Sequence, residues 1–304
     1  MATRAVNAMA GFDWLKRGIN LGRNNPKAIF GGAALLLVAA LGVVIAAGVV
    51  MGVAFAVLGN SPVGIAIGVL VLLLPVLALM GVLMVGYLRL IDAVESGRPA
   101  RAFDVFGGFG DIGTSLRAIG LLLLAAIIKN LLLIGLLSVF AGGFVGWYAQ
   151  MLRGSMAGAD PAAAMAQMPS GIGLAYLVMG LVGTVFFGVQ AVGLGQVVLR
   201  GRDALPALGE GFAAAFRNLL PLLMLLLAYI VLIIVAVIVA VVLVLLVGLL
   251  AKLAGAWLAV VIGVPLYLAF LLAMVVVMFG VMYHCWRDIC GDDTAEVPAD
   301  ALTA

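Results

Sequence analysis

The run Leu219–Ala251 holds no charged residue and is built mainly of Leu, Val, Ile and Ala. A stretch this long and this apolar is at home only in lipid, where about 20 such residues cross the hydrocarbon core. In lipid each backbone group must be hydrogen-bonded within the protein, which leaves helices or closed barrels. The run is too long and too continuous for a barrel strand. Five further stretches have the same character: Ala28–Leu58, Val63–Leu88, Ala118–Tyr148, Ile172–Leu199 and Ala256–Met282. The sequence therefore predicts an all-α integral membrane protein, a bundle of about six transmembrane helices arranged as three hairpins.

Composition agrees. The chain has 304 residues, 66% hydrophobic and 10% charged, whereas soluble domains carry about 25% charged residues. The longest runs reach about 31 residues, or roughly 46 Å at 1.5 Å per residue. That exceeds a hydrocarbon core of about 30 Å, so these helices are expected to tilt, kink or project. The apolar run that follows the polar first 26 residues is far longer than a signal-peptide core, and no cleaved targeting segment is read.

Lysine and arginine placement predicts orientation. Arg4, Lys16, Arg17, Arg23 and Lys27 precede the first run. Arg89, Arg98, Arg101 and Arg117 lie between the second and third, and Arg200, Arg202 and Arg217 between the fourth and fifth. Arg287 follows the last, while the opposite side has Arg153 and Lys252. Both termini and the two basic loops are expected to be cytoplasmic, in a bacterial inner membrane. The domain plan is then a cytoplasmic amphipathic segment (1–27), a membrane domain (28–283) and a cytoplasmic tail (284–304). Tyr87, Trp147, Tyr148, Trp257, Tyr283 and Trp286 fall near span ends, as an interfacial aromatic belt requires.

Each hairpin is preceded by a segment of one style. Residues 11–26 place Phe12, Leu15 and Ile19 at helical spacing, with Lys16 and Arg17 on the other side. Residues 205–221 place Leu205, Leu208, Phe212 and Phe216 in a stripe, with Glu210 and Arg217 expected to face water. The middle segment, around Phe103–Arg117, is loosened by four glycines, which weaken a continuous helix. A Gly-Phe pair recurs at Gly11-Phe12, Gly108-Phe109 and Gly211-Phe212, and Asn25-Pro26 and Asn218…Pro221 close the outer two segments. Each hairpin ends on charge: Arg89…Asp92, Arg200…Asp203 and Arg287-Asp288. The reading is a threefold repeat, an amphipathic helix on the inner leaflet followed by a hairpin.

The same flanks carry a resemblance. Trp14, Gly18, Leu21, Arg23, Asn24 and Pro26 form one motif; Arg89, Asp92, Gly97, Pro99, Phe103, Phe106 and Phe109 a second; Tyr283, Trp286, Arg287, Asp288 and Ile289 a third. Together they resemble a family of uncharacterised bacterial multi-span inner-membrane proteins, similar in pattern to the membrane-domain-like proteins named after glycerophosphodiester phosphodiesterase. The chain departs from it in the Gly- and Ala-rich loop Met151–Ser170 and in Cys285 and Cys290. The resemblance implies a multi-span membrane protein and supplies no activity and no catalytic residues. No phosphodiesterase catalytic domain is present in the sequence.

Chemistry-bearing residues are few. Lys129 is the one ionisable residue deep in a run, where a cation costs about 2.5–3.5 kcal/mol on insertion scales. It marks a solute path, or it snorkels to the headgroups. Asn130 and Gln190 are its candidate hydrogen-bond partners, and the three form the one possible intramembrane polar site. All thirteen Asp and Glu residues lie outside the runs, which argues against a carboxylate relay. His284, Cys285, Asp288 and Cys290 have ligand chemistry, but their spacing meets a structural zinc pattern only loosely. The pair Cys285 and Cys290 implies no disulfide framework. Gly48…Gly52, Gly64…Gly68 and Gly142…Gly146 match the small-residue packing motif and are read as packing within the bundle. Gly107-Gly108-x-Gly110 lacks the lysine of a phosphate loop. The expected function is non-enzymatic, with no cofactor, no metal and no nucleic acid. It acts through packing and contacts with membrane lipid, a second copy or other membrane proteins. The alternative is a transporter or channel for a small or amphiphilic solute with its path near Lys129.

Overall fold

The structure is a computed structural model that describes residues 3–58, 62–156, 169, 171–255 and 257–291. Its helices are α1 (Ala10–Ile19), α2 (Pro26–Leu58), α3 (Pro62–Glu95), α4 (Ile112–Phe140), α5 (Gly142–Met156), α6 (Ile172–Arg200), α7 (Ala204–Arg217), α8 (Leu219–Ala254) and α9 (Trp257–Cys290). Two 3-10 segments join them, Leu21–Arg23 and Ala102–Gly110. The fold is an all-α membrane bundle: α2, α3, α4, α6, α8 and α9 each contain a stretch long and apolar enough to cross a bilayer.

Helix starts follow from local chemistry. The Asn25 side chain accepts from Ala28 N at 3.1 Å, and that of Asp111 from Thr114 N at 3.1 Å, each satisfying an orphan donor at the N-terminus of α2 or α4. Asn218, ahead of α8, is fully buried and instead accepts from Val6 N at 2.8 Å while donating to Arg4 O at 3.1 Å. The third expected run, Ala118–Tyr148, breaks at Ala141, between α4 and α5, where two glycines follow. The middle amphipathic segment is 3-10 rather than α, in keeping with its glycines.

The contacts are cyclic. Within hairpins α2 packs on α3, α4 on α6 and α8 on α9. Between hairpins α3 meets α4, α6 meets α8, and α9 returns to α2. The second helices α3, α6 and α9 also touch one another at the centre. Each amphipathic segment packs on the hairpin before it: the 3-10 segment on α3 and α2, and α7 on α6 and α4. α1 packs on α9 and α8, the last hairpin, and closes the ring.

Glycine sets the closeness of these contacts. A Cβ added to Gly108 would sit 2.2 Å from Val82 O, and one added to Gly86 would sit 1.8 Å from Val105 O. The pattern recurs with α7. A Cβ on Gly211 would lie 2.6 Å from Val189 O, and one on Gly193 would lie 3.4 Å from Ala207 O. In α1 a Cβ on Gly11 would meet Pro221 O at 2.2 Å, while Gly18 and Gly280 face each other. The recurring Gly-Phe glycine is thus a backbone-to-backbone contact in all three segments.

The buried faces differ from the expected stripes. In α1 they are Gly11, Trp14, Leu15 and Gly18, with Ile19 exposed. In α7 they are Ala207, Leu208, Gly211, Ala214 and Ala215, while Leu205 and Phe216 turn outward. Three residues assigned to an aromatic belt are core instead. Tyr87 is fully buried, donates to Ile29 O at 3.1 Å and meets Phe279 edge-on; Tyr283 and Trp286 are also buried, their ring centroids 6.0 Å apart. The core lies at the end of the bundle that carries these segments, the basic face. Beyond Ala228, α8 exposes apolar side chains on all sides, as does α9 near Trp257–Phe270.

The small-residue motifs are corrected here. A Cβ on Gly48, Gly52, Gly142 or Gly146 would meet nothing within 4 Å, so these glycines do not pack the bundle internally. The surroundings of Gly64 lie outside the described side chains. This contrast yields a paired prediction. Gly86→Val should lower stability in detergent by at least about 1–3 kcal/mol, the cost of overpacking a tight contact. Gly48→Val should leave it unchanged. Thermal unfolding of the two variants measures both.

Candidate functional site

Lys129 and Asn130 lie on α4, past its midpoint from Ile112. The lysine is half-buried and the asparagine exposed. Gln190 lies on α6, half-buried. No hydrogen bond or ion pair between described residues joins Lys129 to Asn130, Gln190 or any carboxylate. The candidate polar site is therefore three separate groups on two helices that pack together.

Ion pairs collect instead at the basic face. α3 and α9 run on past the expected spans, to Glu95 and Cys290. This carries Asp92, Glu95 and Asp288 on helix ends rather than in loops. Asp288 accepts from Trp14 Nε1 at 2.8 Å and pairs with Arg17, tying α1 to α9. Asp92 accepts from Tyr283 Oη at 3.0 Å and pairs with Arg98, tying α3 to α9. Arg89 reaches Asp111 at 2.7 Å across the α3–α4 junction, and Arg117 donates to Gly201 O at 2.9 Å across the α4–α6 junction. The charged hairpin exits thus serve as links between neighbouring repeats.

The four candidate ligands near the C-terminus do not gather into a group that could hold a metal ion among the described residues. His284 is buried with Nε2 3.9 Å from Glu95 Oε2. Asp288 is committed to Trp14 and Arg17, and Cys285 and Cys290 are buried free thiols.

A cavity of about 420 Å³ opens between α6, α8 and α9. Its walls include Gly183, Thr184, Phe187, Tyr229, Met274 and Met278. Pockets of about 300–1,000 Å³ are typical of small-molecule sites. The Thr184 hydroxyl donates to Gly180 O at 2.8 Å, an ordinary back-bond within α6. Sequence reasoning passed over this site. The available signal was Tyr229, the lone aromatic residue in the Leu219–Ala251 run.

Two predictions test the polar groups. Arg89 donates a hydrogen bond to Asp111 and, with the Thr114 bonds, holds its carboxyl well below the usual carboxylate range. A depressed carboxylate contributes stability above its unfolded value, near pH 4, and loses it as pH falls through the folded value. Asp111→Asn should therefore lower the Tm at pH 7. The gap to the unaltered protein should shrink only below about pH 4, in a pH series of melting curves. For Lys129 the snorkelling role and the solute path predict different outcomes, the snorkelling role no loss when the charge is removed. Lys129→Leu should express at least as well and melt no lower, since the insertion cost of about 2.5–3.5 kcal/mol disappears. Loss of a solute flux in liposomes with expression intact would point to a transport path instead.

No family model, curated protein or solved structure matches this chain. Among the described residues six helices are long and apolar enough to cross a bilayer, the character of an integral membrane protein.

Proposed function

We propose that this protein is a non-enzymatic bacterial inner-membrane scaffold that acts through lipid and partner contacts, with its basic face and both termini in the cytoplasm. Thirteen of the sixteen Lys and Arg residues support that orientation, because they flank the helix ends at this face. Membership of the resembled family is part of the same proposal, supported by the aromatic segments and charged exits that the motifs share.

The carrying observation is the outward side of the three segments. Glycine and alanine pack inward together with Trp14, Leu15 and Leu208, while other bulky residues face out: Phe103 is 72% exposed and Phe216 64% exposed. Ile19, Phe109 and Leu205 do likewise, and the exposed cations Lys16, Arg23, Lys27 and Arg101 lie near them. An apolar side chain beside a cation at the end of a spanning helix suits the headgroup layer. There the ring enters the acyl boundary and the cation meets anionic lipid, at about 1 kcal/mol per basic residue.

Two measurements check this reading. A reporter fused after Gly97 or Asp293 should read as cytoplasmic and one after Arg153 as extracytoplasmic; the reverse pattern overturns the orientation. Protein purified in mild detergent should retain anionic phospholipid in excess of its membrane share. Changing Arg23, Lys27 and Arg101 to Gln should reduce that excess severalfold. An unchanged lipid profile would remove the lipid-contact role.

A further inference from the structure

The gap between α6, α8 and α9 has a fixed place relative to the amphipathic segments. α1 crosses α8 and α9 at its edge: a Cβ on Gly11 would meet Leu225 N at 2.6 Å, and one on Gly18 would meet Val277 O at 3.0 Å. Leu225 is itself a wall of the gap, and Val277 falls in the chain between the wall residues Val275 and Met278. On α6, a Cβ on Gly188, next to the wall residue Phe187, would meet Leu222 at 2.7 Å and Ala215 of α7 at 3.4 Å. Thus α1 and α7 meet the spanning helices at the end of the gap nearest the basic face. In the other direction its walls run on into the exposed apolar surface of α8 and α9, where Ile230, Val231 and Phe270 lie.

This surface faces lipid, and the gap is continuous with it. Among the described residues no charged side chain lines it, and the Thr184 hydroxyl already donates to Gly180 O. Left empty, the walls would lack partner atoms on one side and forfeit their dispersion contacts. A hydrocarbon chain enters such a space from the bilayer with no polar group to desolvate, and its staggered torsions let it follow an irregular wall. The cations at the near end set its direction. Lys16 on α1 and Arg217 on α7 are exposed there, and the start of α8 beside Arg217 lies about 9 Å before Leu225 at 1.5 Å per residue. A phosphate beside these cations leaves its acyl chains running toward the gap.

We infer that the gap holds one acyl chain of a bilayer phospholipid, headgroup toward the basic face, and that this lipid completes the packing of α6, α8 and α9 where their glycine contacts end. The inference rests on the reading of the basic face as the headgroup side, but it requires only the phosphate common to all phospholipids and no anionic excess.

The test reconstitutes the full chain in nanodiscs of phosphatidylcholine, with a phosphatidylcholine bearing a diazirine midway along one acyl chain as the probe. Photolabelling at Leu226 and Met274 should saturate and be competed by unlabelled phosphatidylcholine, whereas labelling of α8 beyond Val235 should rise in proportion to the probe. Intact mass measurement after transfer to mild detergent should find one phospholipid retained per chain. Gly183→Leu places a side chain in the gap; it should cut the saturable labelling at least tenfold and remove the retained lipid. Where that variant does not fold, Gly180→Leu makes the same change one turn away. An unchanged saturable component in the folded variant overturns the proposal, as does retention of a free fatty acid in place of a phospholipid. Changing Arg23, Lys27 and Arg101 to Gln should leave the retained lipid in place. Its loss there would assign it to the headgroup contacts alone and overturn the crevice site, whereas its persistence without any anionic excess would leave this site standing and remove the other.

Discussion

The structure depends on backbone meeting backbone where glycine leaves no Cβ. Lipid tails are as apolar as leucine, so burying a leucine between helices gains little over leaving it in the bilayer. What association offers is dense packing, and small residues allow it. Gly86 and Gly108 join α3 to the 3-10 segment, Gly193 and Gly211 join α6 to α7, and Gly11, Gly18 and Gly280 join α1 to α8 and α9. Because each segment sits on the hairpin before it, these contacts place successive repeats side by side. Closure comes from α1, which brings the start of the chain against the last hairpin. Arg4 N to Ile289 O at 3.1 Å and Val6 N to Asn218 Oδ1 at 2.8 Å complete that seam.

Polar groups then act where lipid gives way to water. Ion pairs at the basic face are half exposed, and exposed pairs contribute little singly, about 0–1 kcal/mol. Their value here is positional. Trp14, Arg17 and Asp288 hold α1 in register on α9, while Tyr283 and Asp92 hold α9 to α3. The indole and phenol donors are largely shielded from water, and an unmade bond there would be costlier than in a loop. Hence the charged exits that recur after every hairpin are elements of the fold.

This explains what was legible in the sequence. Spanning runs could be read because hydropathy is a property of the residues themselves, independent of neighbours. The Gly-Phe spacing near a period of about 100 residues and the charged exits exposed the repeat. The inward face of each segment was not legible from its stripe. Leu205 and Phe216 satisfy a helical stripe, yet in lipid a bulky apolar side chain gains little by turning inward, and Ala207, Gly211 and Ala214 do so beside Leu208 instead. Tyr87 misled for a related reason. A tyrosine near a span end suits an interfacial belt, but one turn of packing and the Ile29 carbonyl make it core. Lys129 was visible as an anomaly. Its surroundings were not, since facing depends on a helix contact that no local pattern encodes.

The cavity follows from the same packing logic. Close contacts between α6 and its neighbours are dense near the basic face, where a Cβ on Gly188 would meet Leu222 at 2.7 Å and one on Gly195 would meet Trp286 at 2.2 Å. One or two turns further from that face, a Cβ on Gly183 or Gly180 would meet nothing. At that level α8 loses its buried face after Ala228, and α9 does not regain one until Val276. Helices that were held at glycine distance have begun to part, while glycine still leaves α6 narrow. The result is a gap wider than packing requires, walled by thioethers and aromatic rings, with one phenol at its rim.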